Sequence, residues 1–122
     1  MAGKVVLIVD DNAKNVKLVR DVLEFKGYAP LVAETGEAAV ALATEHLPAL
    51  ILMDVHLPGI SGTEATKMLK ANEATKKIPT IALTAMAMKG VRESLLAEGF
   101  DGYLSKPVEL KELLELVKSH LG

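Results

Sequence analysis

Asp10-Asp11, Asp54, Thr84 and Lys106 are the residues of this 122-residue chain whose types and neighbours could do chemistry together. Each closes or follows a short apolar run. Asp10-Asp11 come after Val5-Val6-Leu7-Ile8-Val9, Asp54 after Leu50-Ile51-Leu52-Met53, Thr84 after Ile81-Ala82-Leu83, and Ser105-Lys106-Pro107 after Gly102-Tyr103-Leu104. If those runs are strands of one sheet, three carboxylates, a hydroxyl and an ammonium converge on one rim. Three carboxylates a few ångströms apart repel, and keeping all of them ionised requires a cation. Hard oxygen ligands of this kind suit Mg²⁺, which takes one or two carboxylates, waters and often a phosphate oxygen. Metal, the Lys106 ammonium and the Thr84 hydroxyl would together neutralise three oxygens of a transferring phosphoryl group. One carboxylate would then be the acceptor, since Asp forms acyl phosphates. Asp54, ending the run expected at the sheet centre, is the best placed. A single Asp at a strand end is more often a turn or helix-cap residue, and Asp11 or Asn12 suits the cap of the first helix. The weight rests on five groups coinciding at one end of one sheet.

The elements that must position them alternate. The continuous apolar runs starting at Val5 and Leu50 read as strands buried on both faces, as does Ile81-Ala82-Leu83. Tyr28-Ala29-Pro30-Leu31-Val32-Ala33 contains a proline and is demoted to an edge strand. Gly102-Tyr103-Leu104 is a short fifth strand. Between them lie five helical patterns. The first runs from about residue 13 to 26 and stops at Gly27. The second, after Thr35-Gly36, buries Ala39, Leu42 and Ala43. The third opens at the capping box Ser61-Gly62-Thr63-Glu64 and buries Met68 and Leu69. The fourth runs from about residue 89 to Gly99. The fifth carries Leu110, Leu113, Leu114, Val117 and Leu121 as one stripe. Strands alternating with helices predict a parallel five-stranded sheet covered on both faces, and an edge position for the second strand favours the flavodoxin-like order 2-1-3-4-5. In that order ligands bind beyond the carboxyl ends of strands one and three, where the aspartates stand. At roughly 150 residues per domain the chain makes one domain, residues 1–122, with no repeat, linker or tail.

Composition removes other chemistries. There is no cysteine, so neither disulfides nor thiolate sites arise. Fourteen basic against sixteen acidic residues, net −2, give no basic face for nucleic acid. Aromatics are only 3%, which leaves a flavin or nucleobase poorly supplied with stacking partners. No apolar run approaches the ~20 residues that span a bilayer, and Met1-Ala2-Gly3-Lys4 is unlike a secretory signal, so the expected setting is cytoplasmic. His46, His56 and His120 have no ligand spacing and read as surface residues.

The motifs Val9-Asp10-Asp11-Asn12, Leu52-Met53-Asp54-Val55-His56-Leu57-Pro58-Gly59, Leu83-Thr84-Ala85 and Lys106-Pro107, in this order, resemble the receiver domain of two-component response regulators, the CheY-like fold. Thr84-Ala85-Met86-Ala87-Met88-Lys89-Gly90 is further similar to single-domain regulators of the DivK type and to receivers attached to hybrid kinases. The resemblance implies that Asp54 is the phosphoacceptor, charged by a phosphohistidine on a histidine kinase or histidine phosphotransfer protein. It implies Mg²⁺ held by Asp10, Asp11, Asp54 and the backbone carbonyl of His56, Lys106 on the phosphoryl oxygens, Thr84 and Tyr103 as switch residues, and a cis Lys106-Pro107 bond. It implies no turnover of a separate substrate: the chain is a switch that assists its own phosphorylation and dephosphorylation, free-standing or cut from a hybrid kinase, and either ending at protein contact or passing the group onward.

On that reading the surface of the fourth helix, fifth strand and fifth helix changes shape for a partner, with Met88, Lys89, Val91 and Tyr103 on it, and the chain is a monomer or a weak dimer on phosphorylation. Met86 is either part of this surface or partly buried packing. Two residues after Thr84, in a position that in the family flanks the route of the hydrolytic water, Met86 offers no polar group, which implies slow self-dephosphorylation relative to a Met86→Glu variant. Competing folds fit less well. A haloacid-dehalogenase-like phosphatase needs Asp-x-Asp, where Asn12 stands; a flavodoxin needs a Ser/Thr-rich phosphate loop; neither G-x-G-x-x-G nor G-x-x-x-x-G-K-[ST] occurs.

Overall fold

The computed structural model describes residues 3–85 and 90–121, with the Arg92 side chain excepted. Met86, Met88 and Lys89, expected at the partner surface or to bear on the phosphoryl lifetime, lie outside the described residues. Among the described residues five strands and five helices alternate: β1 (Val5–Val9), α1 (Ala13–Phe25), β2 (Ala29–Ala33), α2 (Gly36–His46), β3 (Leu50–Asp54), α3 (Gly62–Ala71), β4 (Thr80–Thr84), α4 (Val91–Ala97), β5 (Gly102–Ser105) and α5 (Leu110–Leu121). All pairings are parallel and the sheet order is β2-β1-β3-β4-β5, as expected. Pro30, paired with Val6, sits on the edge strand, where its missing N–H leaves no ladder bond unmade.

Alternate side chains of each strand enter opposite layers. Val6 and Ile8 of β1, with Leu50, Leu52, Ile81, Leu83 and Leu104, pack against Val16, Val19 and Leu23 of α1 and Leu113, Val117 and Leu121 of α5. Leu7 and Val9, with Ile51, Met53 and Ala82, pack instead against α2 (Ala39, Ala43), α3 (Ala65, Leu69) and α4 (Leu95). Every residue of β3 is buried, so Asp54 ends the central strand of the molecule.

Side chains cap the helices that begin at the rim. Asn12 Oδ1 accepts from the N–H groups of Lys14 and Asn15 at 3.0 and 3.3 Å, so the first cap belongs to Asn12. Thr35 caps α2 through Ala38 N–H and Ser61 caps α3 through Glu64 N–H. Gly27 and Gly99, beyond α1 and α4, have φ of 89° and 107°, the left-handed conformation expected of such stops.

Three local expectations need correction. Met68 is 51% exposed, not buried: the face of α3 against the sheet is Gly62, Ala65, Thr66 and Leu69, and Met68 stands about 100° of helical rotation away from Leu69. Leu110, at the first turn of α5, is exposed and leaves Leu113, Val117 and Leu121 as the buried stripe. Leu42 is half-buried, at the edge of the layer that covers Ala39 and Ala43.

One buried polar atom is unsatisfied among the described residues: the hydroxyl of Thr66, which is fully buried in α3. Thr66→Val keeps the shape and removes the orphan, so it is expected to stabilise the chain by about 1 kcal/mol. Urea unfolding tests this; a midpoint that falls would mean that the hydroxyl has a partner.

Candidate phosphoryl-binding site

The carboxyl ends of β1, β3, β4 and β5 carry all five residues singled out from the sequence. Asp10 and Asp11 follow β1, Asp54 ends β3, Thr84 ends β4 and Lys106 follows β5. The register aligns Asp54 with Leu83 and Thr84 with Ser105, so the groups stand level at one edge. Asp10 is 1% exposed and Asp54 4%, while Asp11 is open to solvent.

The two buried aspartates are held in the same way. Asp10 Oδ1 accepts the Asn12 N–H at 2.9 Å, and Asp54 Oδ1 accepts the His56 N–H at 3.1 Å. Each therefore turns its Oδ2 toward Lys106, whose Nζ lies 3.2 Å from Asp10 and 2.9 Å from Asp54. Lys106 is fixed in turn by its own N–H, which donates to the Thr84 carbonyl at 2.8 Å. The Lys106-Pro107 bond is cis, as the resemblance implied.

Electrostatics reflect this burial. Burial pushes the Asp54 carboxyl above the ordinary carboxylate range, and the Asp10 charge adds to that rise; the Lys106 ammonium and the His56 N–H oppose it without cancelling it. For Lys106, burial pulls downward, but the bond to Asp54 and the charges of Asp10 and Asp54 outweigh it and leave the ammonium above its usual value. One ammonium thus serves two buried carboxylates, with the third, Asp11, alongside. A carboxylate oxygen from each of Asp10, Asp11 and Asp54 lies within 4.8 Å of the others. This all-oxygen donor set, three carboxylates against one ammonium and open on the Asp11 side, fits a hard divalent cation such as Mg²⁺.

Thr84 is buried at the end of β4. Tyr103 pairs with Ala82, which shares a face with Thr84 by strand alternation, and it packs half-buried against the layer that includes Leu95 and Val91. Thr84 and Tyr103, which the resemblance implied as switch residues, thus face the α4 side of the sheet. Val91 is half-buried there too, so of the expected partner surface only Val91 and Tyr103 are on view. The His56 side chain is exposed; its N–H, not its imidazole, reaches Asp54.

Sequence reasoning missed one positioning residue. Gly62 reads as a member of a capping box, yet a Cβ there would collide with the carbonyl oxygen of Asp54 and stand 2.9 Å from its carbonyl carbon. The close approach seats the start of α3 on the end of β3, joined by the Gly62 N–H to the Val55 carbonyl at 3.0 Å. Both sides of the collision are backbone, so Gly62→Ala is expected to destabilise by about 1–3 kcal/mol and to shift the Asp54 amide resonance. Unchanged urea unfolding and an unmoved amide would disprove the contact.

Known proteins bear on this geometry. Residues 6–118 match the model of the response regulator receiver domain. The chain is 48% identical over 119 residues to the polar-differentiation response regulator DivK of Brucella ovis, covering 98% of this chain and 97% of that protein. Its fold matches the receiver domain of the sensor histidine kinase PA1611 of Pseudomonas aeruginosa with a TM-score of 0.91, at 36% identity and 99% coverage of both chains; that structure has a magnesium ion coordinated in its active-site cleft. The chemotaxis response regulator CheY4 of Vibrio cholerae is similar at TM-score 0.91 and 28% identity, covering 98% of this chain and 99% of that one. Among the described residues, no helix is long and apolar enough to cross a membrane.

Proposed function

The chain belongs to the response regulator receiver family, and from that membership we propose that it is a phosphorylation switch whose acceptor is Asp54. The observation that carries this reading is the Lys106 ammonium lodged between the Oδ2 atoms of two buried aspartates at the end of the central strands. The donor is a phosphohistidine of a histidine kinase or histidine phosphotransfer protein. A carboxylate oxygen of Asp54 forms a bond to phosphorus as the P–N bond to the donor imidazole breaks. The electron pair stays on the released nitrogen, and because the other ring nitrogen already carries a proton the ring departs as neutral imidazole. Lys106 lies where it can turn from Asp54 Oδ2 to a phosphoryl oxygen, so its charge follows the charge that moves. The Thr84 hydroxyl donates to a second oxygen. Asp10, Asp11, Asp54 and the His56 backbone carbonyl would hold Mg²⁺, which supplies positive charge against the phosphoryl oxygens and the clustered carboxylates.

The output arises from charge. An acyl phosphate brings about −1.5 to −2 charges and new acceptor oxygens to the rim, by analogy with other phosphorylated side chains. Thr84 and Lys106 gain a phosphoryl partner only in that state, so the segment after β4 and the side chain of Tyr103 are biased toward one arrangement. The surface of α4, β5 and α5 is read by a partner protein. The chain turns over no separate substrate; it assists the gain and loss of its own phosphoryl group. A cytoplasmic setting, where kinases charge histidine with ATP, fits this reading.

Two-dimensional amide NMR with acetyl phosphate and Mg²⁺ tests the switch. Shifts are expected at Thr84 and Val91 and along Gly102–Ser105, and they should vanish when Mg²⁺ is chelated. Shifts confined to the immediate neighbours of Asp54 would refute a switch read on α4 and β5.

A further inference from the structure

The face shared by α1 and α5 carries apolar surface that the phosphoryl chemistry leaves unused. Phe25, the last residue of α1, is 86% exposed, and Leu18 and Leu110 are 44% and 40% exposed. Beside the Phe25 ring lies a trough of about 340 Å³ lined by Val22 and Leu114 as well as these three. Asp21 and Lys26 also line it, so a carboxylate and an ammonium stand five residues apart along the chain. Lys26 also borders an adjoining hollow together with Lys118.

A projecting ring beside a hole, and a negative group beside a positive one, are the complements a surface needs to match itself. A two-fold axis crossing α1 between Asp21 and Lys26 sets Asp21 of one copy against Lys26 of the other, twice over, and turns each Phe25 toward the other copy's trough. We propose that the α1–α5 face pairs two copies of this chain in an isologous dimer, with Phe25 as apolar anchor and Asp21–Lys26 as reciprocal ion pairs. A second copy is favoured over a foreign helix because the face already holds both halves of each contact. Present commitments oppose it little. Asp21 pairs with Lys17 in an exposed i, i+4 contact, and the Lys26 ammonium rests 5.9 Å from the centroid of its neighbour Phe25. The apolar part of the face rests on one projecting ring and a few aliphatic side chains, as in weak interfaces, so the dimer forms only at high concentration. None of Asp10, Asp54 and Lys106 borders either hollow, and the pairing stands whether or not Asp54 takes a phosphoryl group.

Sedimentation velocity across a concentration series up to about 1 mM tests it on the full chain. The wild type is expected to shift toward the dimer as concentration rises, and Phe25→Ser to require at least about tenfold more protein for the same shift. Asp21→Lys alone and Lys26→Asp alone, both at exposed positions, should remain monomeric, because each sets like charges opposite one another. An equimolar mixture of these two variants sets two positive groups on one copy against two negative groups on the other, restores opposite charges at both pairs, and should restore dimer that neither variant forms alone. A wild type that stays monomeric throughout would overturn the proposal. So would a dimer that persists in Phe25→Ser and in both charge variants, since it would use another face.

Discussion

Asp54→Asn is expected to leave the chain folded and to reduce phosphoryl uptake from acetyl phosphate below detection. The amide is close to the shape of the carboxylate and its oxygen still accepts the His56 N–H. Lys106 keeps Asp10 as its partner at 3.2 Å. Removing one of three clustered carboxylates also relieves a burial cost, since the interior already disfavours the anionic form of Asp54. Stability should therefore stay within about 1 kcal/mol of the wild type or rise. What is lost is the nucleophile: an amide oxygen carries no full negative charge to place on phosphorus. Intact mass after incubation with acetyl phosphate and Mg²⁺ reads the result, and an adduct of wild-type yield on the variant would assign the acceptor elsewhere.

Lys106→Met should cost both chemistry and stability, by separate routes. Methionine keeps a long apolar stem in place of the lysine stem but offers no charge. In the transfer reaction the phosphoryl oxygens lose a fixed charged donor, and deletions of that kind slow reactions about 10²–10³-fold. In the metal-free protein two aspartates, only 2% and 6% exposed in their side chains, lose the ammonium between them. Breaking a buried pair by removing one partner costs about 3 kcal/mol. Urea unfolding in a chelator measures the second effect, and the rate of adduct formation measures the first. Mg²⁺ should restore more stability to this variant than it adds to the wild type, because the cation then answers an uncompensated charge. A Lys106→Met chain that takes up phosphoryl groups at the wild-type rate would remove Lys106 from the reaction.

The strand order was legible because each apolar run is short, continuous and bounded by a chemically distinct residue. Val5–Val9 emerged with the bounds read from the sequence, and Pro30 alone was enough to send β2 to the edge. The rim was legible for the same reason: in a parallel sheet the residues at the end of every strand land on one side, so Asp10, Asp54, Thr84 and Lys106 had to meet. Depth of burial was less legible. Met68 is apolar and adjacent in sequence to Leu69, but Gly62, Ala65 and Thr66 set the face that α3 presses on the sheet. Gly62 was hidden because a close backbone approach depends on two segments meeting, which no local pattern records. The bridging of Asp10 and Asp54 by one ammonium is likewise a matter of distances, not of spacing.

The acceptor itself is the claim on which the rest depends, and reductive trapping reads it directly. Borohydride reduces an aspartyl phosphate to homoserine, so protein treated with acetyl phosphate and Mg²⁺, then with borohydride, records the acceptor in its covalent sequence. Peptide mass mapping is expected to find homoserine at position 54 alone, and none when Mg²⁺ is withheld. Homoserine at position 10 or 11, or an adduct that survives borohydride with Asp54 intact, would contradict the assignment.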